Sequence, residues 1–272
     1  MHSSKLVLTR RIAAVIALVG AAACSNTGAG GNVSLSLSAR PAPGAVPAPS
    51  VTGGLAAAAV VAAGDTTVIA LGNDTIILRS VEVVLRKIEM KRLETSSCDS
   101  VSGNGDCEEF EAGPVLASFP LGATNTAAAV TVDAPAGQYD KLEFEIHKTD
   151  TTSSKEAAFI AANPDFKAIS IRVTGTYSKG GTRSDFVYTS DLDASEEMSF
   201  SPPLDVTAGA GANLTIRMDV STWFVNGGAL VDPASANQGG PNEGVVKDNI
   251  EQSVDAFEDD NHDGHDDHHE GS

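Results

Sequence analysis

The chain has 272 residues, of which 42% are hydrophobic and 20% are charged, and this composition is typical of a folded protein with one or two domains. Lys and Arg total 18 against 36 Asp and Glu, so the formal net charge is -18. Such a balance leaves no basic surface for a phosphate backbone. We therefore expect no nucleic-acid partner.

The first residues have the features of an export signal. Lys5, Arg10 and Arg11 precede an apolar run over 12–23, which matches the length of a signal-peptide core and is too short for a membrane-spanning helix. Small residues at 20–23 come directly before Cys24. We expect residues 1–23 to be a leader that is removed on export.

The segment that ends at Cys24 resembles the lipobox of bacterial lipoproteins, although Ala21 stands where that family more often has Leu. The resemblance implies that Cys24 is acylated and becomes the new N-terminus, with lipid as the only membrane anchor. Ser25 is not the Asp that retains many lipoproteins at an inner membrane, which favours the outer membrane. The alternative is cleavage just upstream at an Ala-x-Ala site, which would leave a free thiol.

Residues 24–64 are rich in Ala, Gly, Pro and Ser, and prolines at four positions between 41 and 49 exclude a continuous helix. This composition predicts a tether. Within it Val33, Leu35 and Leu37 alternate with serines, which predicts one short strand.

The pattern over 65–232 predicts many short strands. Segments 66–71 and 75–79 flank a Gly-Asn-Asp turn, and Gly180 with Gly181 forms a second hairpin turn. Apolar and polar residues alternate over 141–147, 169–177 and 214–221. We expect an all-β fold, an antiparallel β-sandwich of the immunoglobulin-like or transthyretin-like kind, with flexible ends.

Segment 81–93 has apolar residues at spacings that fit a helix or a strand with a phase slip near Lys87. We favour a strand with a β-bulge, because the segment is β-branched and no capping pair opens it.

Residues 233–257 predict a loop and a C-terminal helix. Asn242 is the expected N-cap. One face of this helix carries five residues at helical spacing, namely Val246, Ile250, Ser253, Val254 and Phe257.

Cys98 and Cys107 enclose a short turn-rich segment, which predicts a disulfide in an exported chain. Closing a loop of this size stabilises a fold by about 2.5 to 3 kcal/mol. A redox-active or metal-binding pair is the alternative, but the spacing is not C-x-x-C and no His is nearby.

Residues 258–272 form an acidic, His-rich tail that fits the calcium-loop pattern D-x-[DN]-x-[DN]-G-x5-E and resembles a single EF-hand loop. The expected ligands are side-chain oxygens together with the carbonyl of the residue after Gly264: Asp259, Asn261, Asp263, His265, Asp267 and Glu270. Only two residues follow Glu270, so a paired, sensor-type EF-hand is not expected.

Two alternatives for this tail stay open. It is a solvated acidic segment if no ion binds. It holds zinc or another divalent transition metal if the imidazoles of His262, His265, His268 and His269 act as ligands.

No hydrolase, zinc-protease or nucleotide-binding motif is present, so we do not expect an enzyme. Between the leader and the tail the only histidine is His147, on the polar face of a predicted strand. A carbohydrate-active or ester hydrolase would have to use His147 or a carboxylate pair.

The region from Ile76 to Met90 and the segment Asp133-Ala134-Pro135-Ala136-Gly137-Gln138-Tyr139-Asp140, together with the lipobox, resemble an uncharacterised group of bacterial exported lipoproteins. The likeness covers residues 32–220 and implies a β-sandwich of a domain of unknown function, with no assigned catalytic residues. The sequence thus favours a non-enzymatic cell-envelope lipoprotein, a surface-exposed binding or structural domain for a protein or glycan partner. A divalent-metal-buffering surface protein is the alternative.

Overall fold

The computed structural model describes residues 30–39, 59–63, 65–93, 109–122, 127–207 and 212–267. The strands in these ranges are β1 (Gly30–Ser38), β2 (Ala59–Ala63), β3 (Thr66–Leu71), β4 (Asp74–Arg92), β5 (Glu109–Ala112), β6 (Val115–Ser118), β7 (Ala127–Pro135), β8 (Gly137–Ile146), β9 (Ile171–Lys179), β10 (Thr182–Ser190), β11 (Ala194–Val206), β12 (Ala212–Met218), β13 (Val225–Asn226), β14 (Ala229–Leu230) and β15 (Val254–Glu258). The α-helices are α1 (Ser154–Ala162) and α2 (Glu243–Glu251), and short 3-10 turns lie at Pro164–Phe166 and Pro233–Ala236.

The larger sheet is built around β4. One edge of this 19-residue strand pairs with β3, β6 and β5 in turn, and the other edge pairs with β9 and then β8. Strands β2, β10 and β11 extend the sheet beyond β3, β9 and β8. The segment 81–93 is therefore a strand, and its register with β8 shifts between Leu85 and Lys87, which confirms the predicted bulge.

The smaller sheet has the strand order β15-β12-β1-β7. Strand β1 runs parallel to β12, and every other pairing among the described strands is antiparallel. The strand expected inside the tether is thus confirmed, but it lies in the middle of a sheet. Its apolar side chains Val33, Leu35 and Leu37 are buried in the core.

Both sheets contribute to one hydrophobic core, as expected of a sandwich. Leu35 and Ile216 of the smaller sheet belong to the same buried cluster as Ile88 and Phe144 of the larger sheet. The all-β class is confirmed, because strands predominate among the described elements and the two α-helices have only nine residues each.

Both predicted hairpin turns are present. Gly72 has a φ of 62°, and Gly180 and Gly181 have φ values of 55° and 85°. These positive values favour glycine, because a Cβ atom makes that backbone region unfavourable.

The C-terminal helix is shorter than expected. Val246 and Ile250 are buried as predicted, but α2 ends at Glu251 and Val254 and Phe257 lie in β15. Ser253 lies between the end of α2 and the start of β15. Its hydroxyl donates to the carbonyl of Ile250 at 2.7 Å and accepts the indole N–H of the buried Trp223 at 2.8 Å. After Ser253 the chain becomes a strand because it pairs with β12. The spacing of apolar residues within 242–257 cannot indicate this pairing, since β12 is distant in sequence.

Helix α1 has no counterpart in the sequence prediction. The Ser153 hydroxyl accepts the N–H of Glu156 at 3.1 Å and caps the helix. The buried carboxylate of Glu156 then binds Arg86 of β4 at 2.5 Å. This pair joins the helix to the central strand.

Gly175 of β9 tests the close packing of the larger sheet. A Cβ atom there would lie 2.2 Å from the carbonyl oxygen of Ile77 on β4. We expect Gly175→Ala to reduce the free energy of unfolding by about 1 to 3 kcal/mol, measured by urea denaturation. The control is Gly244→Ala in α2, where an added Cβ meets nothing within 4 Å. It should raise the free energy of unfolding by about 0.5 kcal/mol, and equal effects at the two sites would contradict this packing.

Candidate calcium loop

The loop from Asp259 to Asp267 follows β15 and is anchored by a buried aspartate. Asp259 has 0% exposure, and its N–H donates to the carbonyl of Asn213 on β12 at 3.0 Å. Its carboxylate accepts the hydroxyl of Thr215 at 2.7 Å and the backbone N–H groups of Asp263 and Gly264 at 2.9 and 3.0 Å. One carboxylate therefore ties the loop to the smaller sheet and shapes the turn.

The turn is sharp at two residues. His262 and Gly264 have φ values of 59° and 82°, a region that non-glycine residues rarely adopt. The loop then closes on itself, because the N–H of Asp267 donates to the carbonyl of Glu258 at 3.1 Å and the N–H of Asp260 donates to the Asp267 carboxylate at 2.6 Å. The glycine that the motif requires thus stands at the turn.

The next two expected ligands also orient backbone groups. The side-chain oxygen of Asn261 accepts the N–H of Asp263 at 2.8 Å, and the Asp263 carboxylate accepts the N–H of His265 at 2.8 Å. Asn261 further donates its amide N–H to Asp267 at 3.3 Å. The structure thus brings Asp259, Asn261, Asp263 and Asp267 into one loop.

These side chains do not converge on a single point in this conformation. Over the described part of the chain, no three His, Cys, Asp or Glu side chains form a group that could hold a metal ion. A bound ion would therefore require the exposed carboxylates to move toward Asp259.

One histidine of the tail contacts the smaller sheet. The Nδ1 atom of His262 lies 3.4 Å from the hydroxyl of Ser36 on β1. Ser36 is buried, with 1% exposure. The segment 259–267 therefore contacts the sheet at Asp259 and His262 rather than being solvated throughout, and no local pattern in the sequence indicates the His262 contact.

Other predicted site residues lie outside the described residues. These are Cys24, the pair Cys98 and Cys107, and the tail residues His268, His269 and Glu270.

His147 lies at the end of β8 and is half-buried. Its Nε2 atom is 3.4 Å from the carboxylate of Asp193, and its Nδ1 atom is 2.5 Å from the carbonyl of Lys148. Neither contact is to a Ser, Thr or Cys side chain that His147 could activate as a nucleophile. His147 also does not line the cavities that described residues form at β4–β6 and beside α2.

Comparison with known proteins gives no relative: no family model, no curated protein and no solved structure matches the chain. Among the residues with described positions, no helix is long and apolar enough to cross a membrane.

Thr215→Val tests the anchor of the loop. The substitution keeps the shape of the side chain but removes the hydroxyl that donates to the buried Asp259 carboxylate. We expect the free energy of unfolding to fall by about 1 to 3 kcal/mol, because a buried acceptor loses its donor. Thr215→Ser keeps the hydroxyl and is the control; an equal loss in both variants, measured by urea denaturation, would assign the effect to packing.

Proposed function

We propose that this chain is a non-enzymatic lipoprotein of the bacterial cell envelope. Its β-sandwich acts as a surface-exposed binding domain for a protein or glycan partner, and the segment 259–270 holds a calcium ion. The observation that carries the calcium part is the fully buried Asp259, which fixes the first position of the motif on a rigid sheet.

The donor set of the loop suits calcium, a hard cation that takes six to eight oxygen ligands. An ionised carboxylate has about four lone-pair positions, and the Asp259 carboxylate accepts three protein hydrogen bonds. One position is left for an ion. Asn261, Asp263 and Asp267 supply further oxygens from the same loop, and the carbonyl of His265 and the carboxylate of Glu270 complete the motif.

Anchoring of the loop lowers the cost of binding. A disordered segment must be ordered when an ion binds, and that entropy opposes coordination. Here Asn213 and Thr215 already hold Asp259, and Gly264 already turns the backbone. Among the described residues, the ion would then need only to draw the exposed carboxylates toward Asp259.

Calorimetry on residues 25–272 tests the calcium proposal. We expect one calcium ion to bind with a Kd of about 0.1 to 1 mM, as in extracellular modules. Asp263→Ala removes a ligand and should weaken binding about tenfold or more. Asp259 is kept in both proteins, because its removal would also disturb the sheet.

The matched control is Asp266→Asn, which removes one negative charge at a loop position that the motif does not use as a ligand. It should bind calcium like the parent. An equal loss in both variants would show that only net charge matters, and heat from zinc but not calcium would favour the metal-buffering alternative.

Lipid attachment is tested in cells. We expect the chain to incorporate an alkyne-labelled fatty acid and to fractionate with the outer membrane, because Cys24 follows a lipobox-like segment. Cys24→Ser should lose the label. The double variant Cys98→Ser and Cys107→Ser removes the other two cysteines and should keep the label, and label retained in Cys24→Ser would refute the anchor.

A further inference from the structure

An open groove lies where the two sheets meet, between β11, α2 and β15. It consists of two adjoining depressions of about 500 and 300 Å³ that share Glu196 and Val254. Met198, Val254 and Ala256 form apolar parts of its lining, and all three pack against the core. The groove thus has partly exposed apolar side chains that lie over the core between two strands.

The groove is also lined by carboxylates, namely Glu196, Glu197, Asp248, Glu251 and Asp255. Two of these are paired: Glu197 with Lys141 at 2.9 Å, and Asp255 with Arg217. Glu196, Asp248 and Glu251 have no basic partner among the residues that the structure describes. An acidic surface with unneutralised carboxylates and a few apolar side chains between them is complementary to a basic ligand with aliphatic stems.

Glu196 is the most informative residue of the groove. Along β11 it lies on the same face as Ala194, Met198 and Phe200, and its register partner on β8 is the buried Phe144. A carboxylate is therefore placed on the apolar side of the strand. Burial raises its pKa, and the neighbouring carboxylates add to this effect. A cation in the groove would relieve that cost.

A metal ion does not suit this arrangement. The proposed ligands of the loop lie on one short segment, whereas the carboxylates of the groove are held on three separate elements, and no three of them are close enough to share an ion. The carboxylates are instead distributed along the walls formed by β11, α2 and β15. Several separated positive charges on one extended chain match this distribution, and the stems of Lys or Arg would pack on Met198 and Val254.

We propose that this groove binds an extended basic segment of a partner protein, with Lys or Arg side chains placed against Glu196 and Glu251. The proposal rests on the proposed role as a binding protein and names the class of partner. It uses a surface separate from the calcium loop, so the two parts can fail independently.

The test uses residues 25–272 and a fluorescein-labelled eight-residue peptide of alternating Lys and Val, with binding followed by anisotropy in EDTA. The double variant Glu196→Gln and Glu251→Gln should weaken binding about tenfold or more. The control is the double variant Asp65→Asn and Glu111→Gln, which removes the same charge from exposed positions that do not line the groove. It should change the Kd by about twofold or less.

Equal losses in the two double variants, or no binding of the peptide, would overturn the proposal. So would a divalent cation that binds the parent in calorimetry and is lost only in the groove variant. Thermal unfolding of each variant checks that the fold is intact. Asp263→Ala separates the two sites. If this variant no longer binds calcium but still binds the peptide, the groove acts independently of the loop. If the parent protein binds the peptide but not calcium, only the calcium part of the proposed function fails.

Discussion

The larger sheet depends on β4, since five other strands pair with it. Its buried side chains change phase twice, from Ile76 and Leu78 to Val81 and Val83, and then to Ile88. Each change coincides with a register shift, one against β9 and one against β8. The bulges keep apolar residues in the core along a strand too long for one uninterrupted alternation.

Local patterns predicted seven of the fifteen described strands, namely β1, β3, β4, β8, β9, β10 and β12, because a half-buried strand shows a period of two in its sequence. The other eight, including the 13-residue β11, have no such clear alternation and were missed. The hairpins followed from glycines at turns. Helix α1 was missed although Ser153 and Glu156 stand at capping-box spacing, a signal that the alternation of the flanking strands obscured. The pairing of β1 with β12 could not be predicted, because it joins residues far apart in sequence and no local period specifies it.

The loop residues were predicted from spacing alone, since the motif fixes which positions carry oxygen and where the backbone turns. Its attachment to the sheet was not predictable. Thr215 looks like any polar residue on the wet face of a strand, and only the β12–β15 register places it beside Asp259. Glu196 was invisible for the same reason: within β11 it is one of several acidic residues, and its position opposite Phe144 depends on the pairing with β8.

Strand β1 lies close in sequence to Cys24, the proposed site of the lipid anchor. Strand β1 begins at Gly30, and the six residues from Cys24 span at most about 20 Å. The segment expected to be a long tether therefore has a structured strand near its start. Strand β12 runs parallel to β1 and β15 runs antiparallel to both, so the loop that begins at Asp259 leaves β15 at the end of the sheet where β1 begins. Val254, which lines the groove, is at the opposite end of β15. Gly30, the described residue nearest in sequence to Cys24, and the loop after β15 therefore lie at one end of the smaller sheet, and the part of the groove at Val254 lies toward the other end.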